Sequence, residues 1–402
     1  MQLLAKNMEA AVTGSSMIRK MFEQGTELRK KYGADKVFDF SIGNPDLPPP
    51  RDTANVLNDI AARANHPRAF GYCPNAGLPE VREKLAALLG TEQACKDIEA
   101  KHVLMTVGAA GGLVSFFRAV LEPGDEILVP SPYFVEYGAY VGHFGGKLVP
   151  VPMKEPEFAL DADALAEKVT DKTRVILINT PNNPTGAIYG TQELHALATL
   201  MEKINAGRER PVFLVSDEPY RLLRYDGIDV PPVLPVSPYA VVVGSYSKSL
   251  SLPGERIGYL LINPAMPEVD KMIAALIVTI RTLGFVNAPV IGQRLVGALC
   301  HEGVDVDIYD SRRKAMAEVL TNAGLTFTMP KGAFYFFVKV PGGDDMAFTQ
   351  HLVSENILAV PGRGFGREGY FRIAFCVDET IIRNSMEAWT RAMAKWTVNG
   401  NQ

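Results

Sequence analysis

At 402 residues the chain is too long for one small core, and its length points to two or three domains. Hydrophobic residues at 47% and charged residues at 21% give the balance of a soluble globular protein. A formal net charge of -4 provides no general positive field for nucleic-acid phosphates, so nucleic acid is not expected as a partner. The first twenty residues contain Lys6, Glu9, Arg19 and Lys20 and no apolar signal-peptide run. The apolar stretch Met272 to Ile280 is too short to span a bilayer, so a cytoplasmic protein with no membrane partner is expected. Cys73, Cys95, Cys300 and Cys376 lie far apart, and the six histidines form no HExxH pair, so no metal is expected.

In chain order, a segment rich in helix formers runs to about Tyr32. A short strand (Val37 to Ile42) then leads into Gly43-Asn44-Pro45-Asp46-Leu47-Pro48-Pro49-Pro50. Prolines fix their own φ and bias the preceding residue to extended geometry, which makes this a semi-rigid connector. Strand-like runs follow at Val103 to Val107, Glu126 to Val129, Lys147 to Val151, Arg174 to Ile178, Val212 to Val215 and Ala240 to Val243. Helical patterns, among them Gly108 to Leu121 and Gln192 to Ile204, fall between some of them. Continuous apolar strands separated by helices predict an α/β sheet, mostly parallel and covered on both faces. After Pro289 come helical segments (Val290 to Cys300, Val304 to Ala323), strands (Ala333 to Val340, Tyr370 to Phe375) and a final helix from about Glu379. The expected organisation is an N-terminal segment 1–48 belonging to a smaller α+β domain, a large three-layer α/β domain 49–289, and the small C-terminal domain 290–402.

Polar residues gather at predicted strand ends. Asn182-Asn183, Asp217 and Ser245 to Lys248 each follow a strand, the position at which open α/β sheets bind ligands. A lysine on a strand-end loop among small hydroxyl residues can be desolvated and made nucleophilic, the property a Schiff-base lysine needs. Ser245, Ser247 and Arg256 could hold a phosphate, Arg256 through a fixed fork of donors. Gly108-Ala109-Ala110, where a strand meets a helix, adds backbone N–H groups and a helix dipole at one spot.

The string from Ser245 to Gly258 resembles the lysine signature of the class I and II aminotransferases, which use pyridoxal 5′-phosphate (PLP) on fold type I. Further motifs occur in the family's order over nearly the whole chain. They are Tyr72 with Gly77 and Arg82, Asn182-Asn183-Pro184-Thr185-Gly186, Ser216-Asp217-Glu218-Pro219-Tyr220, and Phe371-Arg372-Ile373. The resemblance implies that Lys248 carries PLP and moves a proton. Asp217 would pair with the ring nitrogen, and Asn183 and Tyr220 would bond the ring's phenolic oxygen. Gly108, Ala109, Ala110, Ser245, Ser247 and Arg256 would hold the phosphate. Tyr133, or Phe134 in a register shifted by one, would stack on the ring. Tyr72 would reach the cofactor of a neighbouring subunit in a homodimer with shared active sites. Arg372, with Gly43 and Asn183, would bind the substrate, Arg372 by its α-carboxylate. The implied reaction is ping-pong transfer of an amino group between an L-amino acid and a 2-oxo acid. The competing expectation on the same scaffold is a carbon–sulfur β-lyase or a decarboxylase.

Two departures stand out. Pro219 replaces a commonly aliphatic residue, and Arg363, in Val360-Pro361-Gly362-Arg363-Gly364-Phe365-Gly366, replaces a commonly small one. Arg363 is a candidate to contact a distal substrate group, with Arg281 a weaker one.

Overall fold

Residues 3–5, 8–9, 12, 17–33 and 36–399 are described in a computed structural model, which forms two compact units. The N-terminal helical segment is expected to begin before residue 17. Positions 1–2, 6–7, 10–11 and 13–16 of that segment lie outside the described residues.

The larger unit comprises Pro45–Val306 and Lys331–Ala333. Its sheet has seven strands: β1 (Val103–Val107), β2 (Glu126–Ser131), β3 (Lys147–Pro152), β4 (Thr173–Asn179), β5 (Phe213–Asp217), β6 (Ala240–Ser245) and β7 (Ile257–Ile262). Their order across the sheet is β1-β7-β6-β5-β4-β2-β3. All run parallel except β7, which is antiparallel to both neighbours. Every residue of β5, β6 and β7 is buried, which demands cover on both faces because successive side chains point to opposite sides. On one face Phe116, Phe117 and Val120 of the helix Gly108–Val120 pack with Phe213, Val241 and Leu260. The central strands are rich in Val, Ile and Leu, the residues that suit a pleated surface buried on both sides.

Six of these strands lie where the apolar runs predict them. The seventh, β7, is read in the sequence as the tail of the lysine motif. It is too close to that motif, and too rich in glycine at its start, to announce itself.

The smaller unit comprises Met1–Asn44, Asp307–Pro330 and Phe334–Gln402. An antiparallel sheet joins β9 (Val360–Pro361), β10 (Tyr370–Ala374) and β8 (Tyr335–Lys339) in that spatial order. The two-residue strand Phe38–Asp39 pairs in parallel with Ile357–Leu358. Phe348, Phe371 and Trp389 are fully buried, with Phe371 and Trp389 stacked at 6.0 Å.

One expected boundary moves. The helix Val290–Leu299 falls in the larger unit, not at the head of the smaller one. Gly297 lets it approach the helix Pro79–Glu92 so closely that a Cβ there would lie 2.8 Å from Val81 Cγ2. Lys84 Nζ donates to the Gly297 carbonyl at 2.9 Å, and the fully buried Gln293 accepts from Leu78 N–H at 2.7 Å. A helix pinned in this way belongs to the core it packs on.

Candidate active site

Strand register assembles the first half of the site. Asn179 stands opposite Asp217 in β4 and β5, and Asp217 opposite Val243 in β6. Ser245 lies opposite Gly258 in β7, which in turn faces Thr106 in β1. The carboxyl ends of β1, β4, β5 and β6 and the amino end of β7 therefore share one sheet edge, with neighbouring strands about 4.8 Å apart.

Asp217, the last residue of β5, is only 5% exposed. Its Oδ2 accepts a 2.6 Å hydrogen bond from the hydroxyl of Tyr137. Its Oδ1 has no hydrogen-bond partner among the described residues. Burial pushes the carboxyl up to about 7, the neighbouring Glu218 charge adds to this, and the Tyr137 bond opposes it. Such a group favours a cationic N–H donor on its open oxygen. Tyr137 is itself fully buried and held well above the ordinary tyrosine value, by burial first and then by Asp217. Tyr140, pushed up to about 12 mainly by burial, feels the charges of Glu136, Asp217 and Arg256.

Asn179 organises the next segment. Its Nδ2 donates to the Asp217 carbonyl at 2.8 Å, and its Oδ1 accepts from Asn183 N–H at 2.7 Å. Asn182 Oδ1 closes the turn by accepting from Thr185 N–H at 3.1 Å and Thr185 Oγ1 at 2.8 Å. Asn183 is buried and set beside the end of β5. Beyond Asp217, Glu218 N–H donates to the Val243 carbonyl at 2.8 Å, and Glu218 accepts from Ser216 Oγ, Gln93 Nε2 and Arg221 Nη1. This buried network anchors the segment that carries Tyr220, which is 5% exposed.

The end of β6 brings hydroxyls and backbone N–H groups close to Arg256. Ser245 caps the short helix Tyr246–Ser249 by accepting from Ser247 N–H at 3.1 Å, and the two hydroxyls lie 2.8 Å apart. Lys248 projects from that helix and is half-buried. A Cβ on Gly258 would lie 2.5 Å from the Gly244 carbonyl oxygen, 2.7 Å from Gly108 C and 2.9 Å from Ala109 N. Three backbones therefore meet where only glycine fits. Gly108 opens the helix Gly108–Val120 with φ +66°, and the helix has no side-chain cap. The Arg256 guanidinium lies 2.8 Å from where a Gly108 Cβ would stand, and Nη1 donates to the Pro253 carbonyl at 3.1 Å. Arg256 adopts a left-handed backbone (φ 51°), a conformation that costs on the order of 1 kcal/mol and persists where surroundings enforce it. Gly108, Ala109, Ser245, Ser247 and Arg256 thus lie together, and Ala110 follows in the first turn of the helix Gly108–Val120. N–H groups at a helix start, hydroxyls and a guanidinium suit a phosphate.

The remaining sequence candidates fall as follows. Tyr133 is partly buried and packs on the core beside Phe134, whose ring meets Tyr137 edge-on at 5.5 Å. Tyr72 is 91% exposed. In the smaller unit, Arg372 is buried, with Nη2 donating to the Ser41 carbonyl at 2.7 Å. The place of a Gly43 Cβ is filled by the Tyr335 ring. Arg281 lies exposed on the helix Val269–Thr282.

Arg363 is a correction. Its Nε and Nη2 donate to Asp345 Oδ1 at 2.9 and 2.7 Å, and its backbone N–H to Oδ2 at 2.8 Å. Asp345 is fully buried, so Arg363 serves as its counter-ion rather than as a group held out for substrate.

Tyr137 and Asn179 were not legible as site residues. Asn179 had one usable signal, a polar residue ending an apolar strand. Tyr137 had none, because 80 residues separate it from Asp217.

The sequence model of the family described as aminotransferase class I and II matches residues 35–388. The chain belongs to that family. It is 34% identical over 389 residues to a probable aspartate/prephenate aminotransferase of Aquifex aeolicus, covering 91% of this chain and 93% of the relative. It is 31% identical to the aspartate aminotransferase of Pyrococcus horikoshii, covering 94% of each. An aminotransferase structure from Eubacterium rectale superposes with a TM-score of 0.93 at 36% identity, covering 98% of this chain and 99% of that one. The Thermus thermophilus aspartate aminotransferase with maleate does so with 0.86 at 28%, covering 98% and 100%. The chain is therefore an aminotransferase with the family's α/β fold, and amino acids and 2-oxo acids are its substrates. These relatives favour transfer over β-elimination or decarboxylation. No helix among the described residues is long and apolar enough to cross a membrane.

Proposed function

We propose that this aminotransferase works with PLP bound through Lys248, and that L-aspartate is its amino donor. The observation carrying the cofactor reading is the presence of two complementary features at one sheet edge. One is the open Oδ1 of a buried Asp217, suited to a protonated ring nitrogen. The other is the anion cup of Gly108, Ala109, Ala110, Ser245, Ser247 and Arg256, suited to a phosphate. Lys248 leaves the same sheet edge that carries both.

PLP supplies an electron sink that makes the Cα–H bond of an amino acid acidic. Asp217 would keep the ring nitrogen protonated, and Tyr137 holds Asp217 from the opposite oxygen. Asn183 and Tyr220 would donate to the phenolic oxygen. Tyr133 is the ring-stacking candidate, and Phe134 competes for that role because it packs on Tyr137. Arg372 would bind the α-carboxylate in a bidentate pair with the Gly43 backbone beside it, and Asn183 is a further substrate-binding candidate. Once the substrate's amino group displaces the Lys248 amine, Lys248 would be free to take the proton from Cα as general base and return it as general acid. A 2-oxo acid would be aminated by the reverse sequence.

The aspartate preference rests on relatives named aspartate aminotransferase or aspartate/prephenate aminotransferase. The exposed Tyr72 fits a residue that reaches the cofactor of a second copy, which makes a homodimer the working form. A cytoplasmic location agrees with the sequence composition. Assaying donors against 2-oxoglutarate tests the reading. Oxaloacetate formation from L-aspartate supports it, whereas ammonia and pyruvate release without an oxo acid contradicts it.

A further inference from the structure

Arg372 sits on β10 opposite Phe337 of β8, so Tyr335, two residues along the same face, is its diagonal neighbour. Its guanidinium carbon lies 4.5 Å from the Tyr335 ring centroid and 4.7 Å from that of Phe365. Phe365 and Tyr335 are both buried. A third anchor is the Ser41 carbonyl, 2.7 Å from Nη2. Asp39 braces that carbonyl's residue by accepting from Ser41 N–H and Oγ at 3.1 and 2.6 Å, and from Arg29 Nη2 at 2.7 Å.

Gly43 belongs to the same stack. A Cβ there would lie 1.9 Å from the Tyr335 hydroxyl and 2.7 Å from its Cζ, so the ring presses directly on the Gly43 backbone. Phe365 is held on its side by Phe337, edge-on at 6.2 Å, and Phe337 stacks on Tyr370 at 5.0 Å and 6°. The loop Gly362–Phe365 is tied down by the Arg363–Asp345 pair.

Two ring faces and one carbonyl fix the position and plane of a planar cation. A carboxylate recognised by two parallel N–H bonds demands a fixed plane, because tilting the fork breaks one bond of the two.

We infer that Tyr335 and Phe365 are positioning residues that set the plane of Arg372 for the carboxylate shared by amino and oxo acid substrates. Gly43 contributes by leaving room for Tyr335. The inference rests on the reading of Arg372 as the α-carboxylate residue. It assigns Arg363 and Asp345 a part as well, as the anchor of the loop that carries Phe365.

The test uses the PLP-loaded enzyme with L-aspartate and 2-oxoglutarate. Phe365→Leu removes one ring face and Gly43→Ala displaces the other, while Tyr335→Phe keeps its face. Phe365→Leu and Gly43→Ala are expected to raise KM for donor and acceptor alike, by about tenfold, with kcat changed much less. Tyr335→Phe is expected to leave both KM values within about twofold. Loss of fold alone would lower the amount of active enzyme and leave KM unmoved. If Arg372→Lys raises both KM values while Phe365→Leu and Gly43→Ala do not, the positioning role is wrong and the Arg372 reading stands. If Arg372→Lys also leaves KM unchanged, both are wrong.

Discussion

Tyr137→Phe isolates one hydrogen bond at the centre of the site. The hydroxyl donates at 2.6 Å to Asp217 Oδ2, whose other oxygen has no partner among the described residues. A hydrogen bond to a charged group contributes roughly 1.5–3 kcal/mol, and 1.36 kcal/mol corresponds to one pH unit of titration. Removing the bond therefore moves Asp217 titration up by about one to two pH units from a position burial has already raised to about 7. A protonated Asp217 cannot pair with a ring cation. PLP binding to the cofactor-free variant is accordingly expected to shift its pH dependence upward, about tenfold weaker at pH 7 and recovering towards pH 9. PLP titrations of the cofactor-free protein from pH 5 to 10 measure this. A variant profile that superimposes on the parent, or drops uniformly at every pH, refutes the reasoning.

Other consequences follow from the same geometry. Asp217 binds its proton more tightly folded than unfolded, so between its ordinary value of 3.8 and about 7 it weakens the cofactor-free protein as pH rises. Urea unfolding of that form should show this slope, and Asp217→Asn should remove it; an unchanged slope contradicts it. Gly258→Ala pushes a methyl into the Gly244 and Gly108–Ala109 backbones and is expected to weaken PLP binding by about tenfold or more, read by cofactor titration. Arg363→Ala leaves Asp345 buried without its guanidinium. It should lower the melting temperature, with a cost of about 3 kcal/mol at most because Arg363 is partly exposed, and leave the ratio of acidic to neutral donors unchanged. A changed ratio would restore the substrate-contact role for Arg363.

What the sequence disclosed depended on how far apart the interacting residues lie in the chain. The apolar runs of β1, β2 and β4 to β6 carry their own signal, because burial on both faces removes polar residues from consecutive positions. Lys248, Asp217 and Asn183 stood out because each follows such a run. The Tyr137–Asp217 bond, the meeting of Gly258 with Gly108 and Gly244, and the Tyr335 ring on Gly43 each bring distant segments together. Nothing local to those residues marks them. Arg363 looked available for substrate because its motif position is unusual, and only the fold reveals the buried Asp345 that claims it. The composition of Val290–Leu299 marks it only as a helix, and Gly297 and Gln293 decide what it packs on.

Lys248 is proposed to hold the cofactor at the sheet edge shared by Asp217 and the phosphate-binding groups. Borohydride treatment of the PLP-loaded enzyme, followed by peptide mass mapping, tests it most directly. One pyridoxyl group per chain is expected, on the peptide containing Lys248, and none after Lys248→Ala. Label on a different lysine, or loaded enzyme that takes no label, contradicts it.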